Sequence, residues 1–171
     1  MELVKTKLDG VYIVEPKVYG DNRGWFMETY SEKAFKDAGI DVTFVQDNHS
    51  YSAQKGVLRG LHFQLNPMSQ AKLLRVLRGT LLDVVVDIRK GSPTYGQWIS
   101  VELSADNKKE IFMPRGMAHG FVTLTDNVEV HYKVDNLYAP KLESGIIYND
   151  PDLKVDWGTD KVILSAKDTV L

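Results

Sequence analysis

The 171-residue sequence predicts an all-β fold, a sandwich or barrel carrying one or two short helices. Two observations predict it. Short runs rich in β-branched and aromatic residues recur along the chain, each ended by a turn signal. Only two stretches read as helix, too few to cross between the strands of a parallel α/β sheet. No Pro/Gly/Ser-rich linker, low-complexity tract or internal repeat interrupts this pattern, so residues 1–171 are expected to form one domain.

In chain order the expected strands are residues 11–14, 25–30, 42–46, 57–64, 72–78, 80–88, 98–103, 109–113, 121–124 and 128–134. Turn chemistry separates them: Tyr19-Gly20-Asp21-Asn22, Arg78-Gly79, Lys90-Gly91-Ser92-Pro93, Ala105-Asp106-Asn107 and Thr125-Asp126-Asn127. One helix is expected over 31–38. Ser31 can accept a bond from a free N–H at its start, Glu32 suits the positive end, and Gly39 can take the left-handed conformation at the stop. A second short helical turn is expected from Pro151, a residue suited to a first helical position.

Strand parity carries the first chemical information. In 128–134, Val128, Val130, Tyr132 and Val134 share one face, while Glu129, His131 and Lys133 share the other. In 72–78, Lys72 shares a face with Leu74 and Val76, and Leu73 and Leu77 lie opposite. An ammonium on an apolar face costs several kcal/mol unless it is paired or hydrated. At a strand end the ordinary outcome is a packed stem with its amine in water. In 57–64, Arg59 and His62 fall on opposite faces of a regular strand. For both to reach one cavity, Gly60 must sit in a bulge or kink.

Composition closes several options. Hydrophobic residues are 43% and charged residues 26%, which argues against disorder. Lys plus Arg is 21 against 23 for Asp plus Glu, so neither nucleic acid nor an anionic membrane is expected as a partner. Cysteine is absent, which removes disulfides, thiol catalysis and Cys-ligated zinc. No apolar run reaches transmembrane length, and Met1-Glu2-Leu3-Val4-Lys5 does not read as a signal peptide, so a cytoplasmic location is expected.

No G-x-S-x-G, S-x-x-K, P-loop or G-x-G-x-x-G pattern is present. The four histidines are His49, His62, His119 and His131, with no H-x-H and no H-E-x-x-H spacing. Composition alone leaves open a facial metal site built from His62, His119 and a carboxylate. It equally leaves His62 as a core histidine and His119, after Pro114-Arg115-Gly116-Met117-Ala118, as a turn residue bonded to its loop.

Eight segments, read together, resemble the dTDP-4-dehydrorhamnose 3,5-epimerases, the RmlC-type sugar-nucleotide epimerases of the cupin superfamily. They are Asp21-Asn22-Arg23-Gly24-Trp25-Phe26-Met27-Glu28, Gln46-Asp47-Asn48-His49-Ser50, the run from Gly56 to Gln64, and Gln70-Ala71-Lys72-Leu73. The others are the run from Asp83 to Arg89, Pro114 to Phe121, Tyr138-Ala139-Pro140 with Glu143-Ser144-Gly145-Ile146, and Leu164-Ser165-Ala166-Lys167-Asp168. The resemblance implies a cupin-type jelly roll, a homodimer, and chemistry without metal or organic cofactor. An edge strand swapped between subunits would bring some site residues from the neighbour.

The implied substrate is a dTDP-4-keto-6-deoxy sugar. Its ketone acidifies the C3 and C5 hydrogens, so inversion needs a base on one face, an acid on the other and a positive group at the oxygen. By resemblance His62 is the base, Asp168 its orienting partner, Tyr132 the acid and Lys72 the group at the enolate oxygen. Arg23, Arg59 and His119 hold the diphosphate, with Gln46 and Asn48 nearby. Glu28 accepts from the thymine N3–H, Tyr138 stacks on the thymine, and Glu143 and Lys167 are further binding positions. Two departures stand out. Tyr148 replaces a tryptophan common in the family, and only three residues follow Asp168, which leaves that partner the most open to fraying. The competing readings are a mono-epimerase at C3 or C5, a metal-dependent cupin enzyme, and a non-catalytic sugar-nucleotide binder.

Overall fold

Two antiparallel sheets lie face to face in the computed structural model, which describes all 171 residues. The strands are Glu2–Lys5 (β1), Tyr12–Glu15 (β2), Val18–Asp21 (β3), Gly24–Met27 (β4), Gln46–Ser52 (β5), Leu58–Gln64 (β6) and Lys72–Arg78 (β7). They continue with Thr80–Asp87 (β8), Trp98–Ser104 (β9), Glu110–Met113 (β10), Met117–Thr123 (β11), Val128–Val134 (β12) and Glu143–Gly145 (β13). Helix α1, Glu32–Asp37, precedes β5. One sheet has the order β1-β2-β10-β7-β12-β5 and the other β13-β6-β11-β8-β9. This is the jelly-roll sandwich that the motifs imply.

Alternation builds the layers. On β8, Leu81 and Val85 face inward with Leu74, Val76, Ile111, Phe121, Val128 and Val130, forming the core between the sheets. Val84 and Val86 face outward and are covered by the chain after β13, with Trp157 buried on them. The indole N–H groups of Trp98 and Trp157 donate to the carbonyls of Leu153 and Tyr148, which satisfies the polar end of each buried ring. On the far side, Leu73 and Phe112 lie beneath α1, whose Phe35 is buried against them. Burying that ring contributes about 1.5–3 kcal/mol. Both faces of β7 are therefore apolar where parity expected it.

Helix α1 starts as expected: the Ser31 side chain accepts from the Ala34 N–H, and Gly39 follows with φ of +82°. Other expectations shift. Residues 42–45 are not strand; β5 begins at Gln46 and runs through the polar stretch to Ser52. It is the edge of its sheet, where one row of side chains faces solvent, so apolar density is a poor guide to it. The expected turn at Pro151 forms over 151–153: the Asp150 carboxylate accepts from the Asp152 and Leu153 N–H groups, the Lys154 N–H closes on the Asp150 carbonyl, and the left-handed φ of +52° at Lys154 stops it after one turn. The short 3-10 turns lie at Pro140–Leu142 and Asp168–Val170. The pair β3–β4 forms a two-stranded ribbon joined to neither sheet, with Tyr19, Trp25 and Phe26 exposed on it.

Candidate active site

A cavity of about 500 Å³ opens between the sheets. The larger sheet contributes Ser50, Lys72, Leu74 and Tyr132. The smaller contributes Arg59, His62, His119 and Phe121, and the C-terminal segment adds Lys167 and Asp168.

Arg59 and His62 both line it, although regular parity sets them on opposite faces. The register explains how. His62 pairs with His119 and Arg59 with Phe121, so three steps on β6 match two on β11. The extra residue is a bulge that turns Arg59 back toward the cavity. Gly60 occupies it with φ of +131°, and a Cβ there would stand 2.6 Å from the Gly120 Cα. Arg59 is then fixed by donating from Nε to Ser52 Oγ at 3.2 Å and from its terminal nitrogen to the Tyr51 carbonyl at 3.0 Å.

His62 Nε2 lies 2.5 Å from Asp168 Oδ1. Asp168 is only 3% exposed, and its other oxygen accepts the Gly60 N–H at 3.3 Å. Its own N–H donates to the Ser165 carbonyl at 3.1 Å. The carboxylate is thus pinned by a 3-10 turn instead of fraying, and it constrains the orientation of the imidazole. His119, directly across the ladder, makes a second pair: its Nε2 lies 2.8 Å from Asp83 Oδ2. It sits inside β11 rather than in the preceding turn, because that strand starts at Met117.

Tyr132 packs against the core as its parity predicts. Burial pushes its phenol pKa up, outweighing the lowering by an Asn48 side-chain bond, so the hydroxyl keeps its proton at neutral pH. Lys72 Nζ stands 5.9 Å from the Tyr132 ring centroid. The residue lines the cavity, and burial lowers its pKa to about 8, against the raising fields of Asp83 and then Glu143.

A second hollow of about 490 Å³ adjoins the first and shares His62, Lys72 and Tyr132 with it. Gln46, Asn48, Tyr138 and Glu143 line its outer part. Gln46 Nε2 donates to Asn48 Oδ1 at 2.9 Å, and the Gln46 side-chain oxygen accepts the Tyr138 N–H at 3.2 Å. Glu143 accepts from the Tyr138 hydroxyl at 2.9 Å and from Lys167 Nζ at 2.5 Å. Burial raises the Glu143 pKa, but these donors and the Lys167 charge overcome it and hold the group as a carboxylate.

A base–phenol–ammonium set beside an arginine is common to many enzymes, and the comparisons decide among them. The family model described as dTDP-4-dehydrorhamnose 3,5-epimerase matches residues 5–171. The chain belongs to the dTDP-4-dehydrorhamnose 3,5-epimerase family. It is 50% identical to the epimerase of that name from Shigella flexneri over 169 residues, 98% of this chain and 93% of the relative. A crystal structure of the Bacillus anthracis epimerase with TDP and pyrophosphate bound superposes with a TM-score of 0.97 at 45% identity, covering 99% of this chain and 97% of that one. The Legionella pneumophila epimerase in complex with dTDP-4-keto-L-rhamnose gives 0.94 at 47% identity, covering 99% and 90%.

Within this epimerase fold, eleven of the thirteen residues singled out from the sequence line the two hollows: His62, Lys72, Tyr132, Asp168, Arg59, His119, Lys167, Gln46, Asn48, Tyr138 and Glu143. Arg23 and Glu28 do not. Arg23 sits at the tip of the β3–β4 ribbon, bound to Asp21 at 2.6 Å, and Glu28 is exposed just after β4. The ribbon joins neither sheet, and none of its residues lines either hollow.

Two residues escaped the sequence reading. Asp83 lies in the otherwise apolar run Leu81–Val86; a lone carboxylate there was a signal that could have found it. Gln64 is buried at the end of β6, accepts the Ala139 N–H at 2.8 Å and donates to the Met68 and Leu137 carbonyls. It holds the loop that carries Tyr138, a role no local pattern announces.

Proposed function

We propose that this chain epimerises dTDP-4-dehydro-6-deoxy-glucose at C3 and C5, giving dTDP-4-dehydro-L-rhamnose for deoxysugar biosynthesis. The observation that carries the reading is that His62, oriented by Asp168, and the protonated phenol of Tyr132 open onto one cavity with Lys72 between the two sheets. His62 takes the proton from the carbon beside the ketone. The electron pair moves onto the ketone oxygen, where the Lys72 ammonium stabilises it. Tyr132 returns a proton from the opposite face, and the stereocentre is inverted. The substrate ketone is the electron sink, so the reaction needs no metal and no organic cofactor.

Arg59 and His119 are placed to meet the diphosphate, Arg59 through its planar fork. Tyr138 offers a ring for the thymine to stack on, a contact worth about 1–3 kcal/mol. The working unit is a homodimer. The exposed Tyr19, Trp25 and Phe26 of the β3–β4 ribbon call for a covering surface, and the unpaired edge of β5 beside the outer hollow can accept another strand. A ribbon added there delivers Arg23 and Glu28 to the neighbour's nucleotide site.

Proton NMR of the substrate incubated with the enzyme in deuterated water tests the reaction. Exchange at both C3 and C5 is expected. Exchange at one carbon alone selects a mono-epimerase, and exchange at neither ends the epimerase reading.

A further inference from the structure

Asp83 is a buried carboxylate that the proton transfers above leave unused. On β8 it lies between Leu81 and Val85 on the inward face, opposite Phe121 of β11. It is fully buried. One oxygen meets His119 Nε2 at 2.8 Å, and the other is buried without any hydrogen-bond partner. Leaving a carboxylate oxygen unsatisfied away from water is costly, so what the group faces matters. It lies behind His119, which lines the cavity from the same sheet, while Lys72 lines it from the other. Asp83 is the first of the two anions whose fields support the Lys72 charge, ahead of Glu143.

We propose that Asp83 is a positioning residue that serves both ends of the site: one oxygen fixes the His119 ring through Nε2 at the diphosphate end, and the carboxylate supplies the counter-charge for the Lys72 ammonium at the ketone end. This rests on the epimerase reading. Negative charge appears on the ketone oxygen when the carbon is deprotonated, and Lys72 must be protonated at that moment. Burial works against it, and a carboxylate in the opposing sheet offsets the burial. Lys72 stands in the cavity wall of the opposing sheet without a side-chain ion pair, so its N–H donors stay free for substrate. The other charged or titratable groups around the cavity and Lys72 are His62 with Asp168, Arg59, Tyr132, Glu143 and Lys167.

The test is Asp83→Asn, which keeps the shape and removes the charge, assayed by deuterium exchange at C3 and C5 across pH. The expected result is a loss of kcat on the order of 10²-fold with little change in KM. The alkaline limb of the kcat profile should also move to lower pH by at least about half a unit, because Lys72 has lost an anion that favours its charged form. A folded variant with a lower Tm and an unmoved alkaline limb would mean that Asp83 is merely structural, and the proposal would be wrong. A second measurement needs no substitution. Nitrogen-15 NMR of the wild-type His119 ring should show a proton on Nε2 at neutral pH. An Nδ1–H tautomer at neutral pH overturns the assignment. Wild-type enzyme that exchanges neither carbon sinks the epimerase reading and this assignment together; wild-type exchange with an unmoved Asp83→Asn limb sinks this assignment alone.

Discussion

The two histidine–carboxylate pairs stand side by side on neighbouring strands, His62 facing His119 across the β6–β11 ladder. They differ in where the carboxylate comes from. Asp168 arrives from a 3-10 turn 106 residues away, and its histidine keeps 29% of its side chain open to the cavity. Asp83 sits within a central strand, and its histidine is 9% open. The same pair of groups therefore serves two ends. A partly open imidazole braced from behind can take and release a proton. An enclosed imidazole beside a shared carboxylate holds a fixed electrostatic field. Exposure of the ring separates the two roles more than the bond between the partners does.

The largest expected effect falls on the open pair. His62→Ala should abolish exchange at both carbons while dTDP still binds by calorimetry, because only the base is lost. Residual exchange near wild-type rate would move the base to the enclosed pair and reverse the comparison. Tyr132→Phe comes next. Exchange should persist while net inversion falls by about 10²- to 10⁴-fold, since reprotonation from the far face loses its donor. Inversion at wild-type rate would remove Tyr132 from the mechanism. Arg59→Ala sharpens the boundary between chemistry and binding: KM should rise roughly tenfold with kcat little changed, as for a contact made equally in ground and transition states.

The smallest effect concerns a third carboxylate that has no histidine at all. Glu110 is 1% exposed with neither oxygen bonded, and burial raises its pKa to about 8, against the lowering fields of Arg75 and then Lys133. Below its ordinary value of 4.5 it is protonated both folded and unfolded. Between 4.5 and about 8 only the folded chain keeps the proton, so its contribution to stability falls as pH rises and is lost above about 8. Glu110→Gln removes that dependence. The Tm of the variant should gain on the wild type as pH goes from 5 to 8, by at most a few kcal/mol of stability. A pH-independent difference would show that Glu110 has a partner in solution.

Much of the site could be read from single strands. Tyr132 sharing a face with Val128 and Val130, and Lys72 sharing one with Leu74 and Val76, follow from period-two alternation, and the core holds those valines and leucines together. Ser31 at the helix start is equally local. The polar edge strand β5 and the ribbon strand β3 were harder, because neither carries the apolar row that marks a strand packed on a core. The resemblance named the residues of the outer hollow, yet only the assembled sheets show that Gln46 reaches the Tyr138 backbone and that Glu143 ties Tyr138 to Lys167.

The sequence by itself determined the all-β class, the capped helix, the absence of any thiol chemistry, and the inward face on which the phenol and the ammonium stand. These depend on residue type and on the orientation of neighbours along one strand. The tertiary structure alone decided that the Gly60 bulge brings Arg59 and His62 into one cavity, that Asp83 pairs with His119, and that Arg23 and Glu28 stay outside it. Each of these is set by register and partner choice between segments far apart in the chain. Such contacts are selected by the packing of whole sheets, and no local period encodes them.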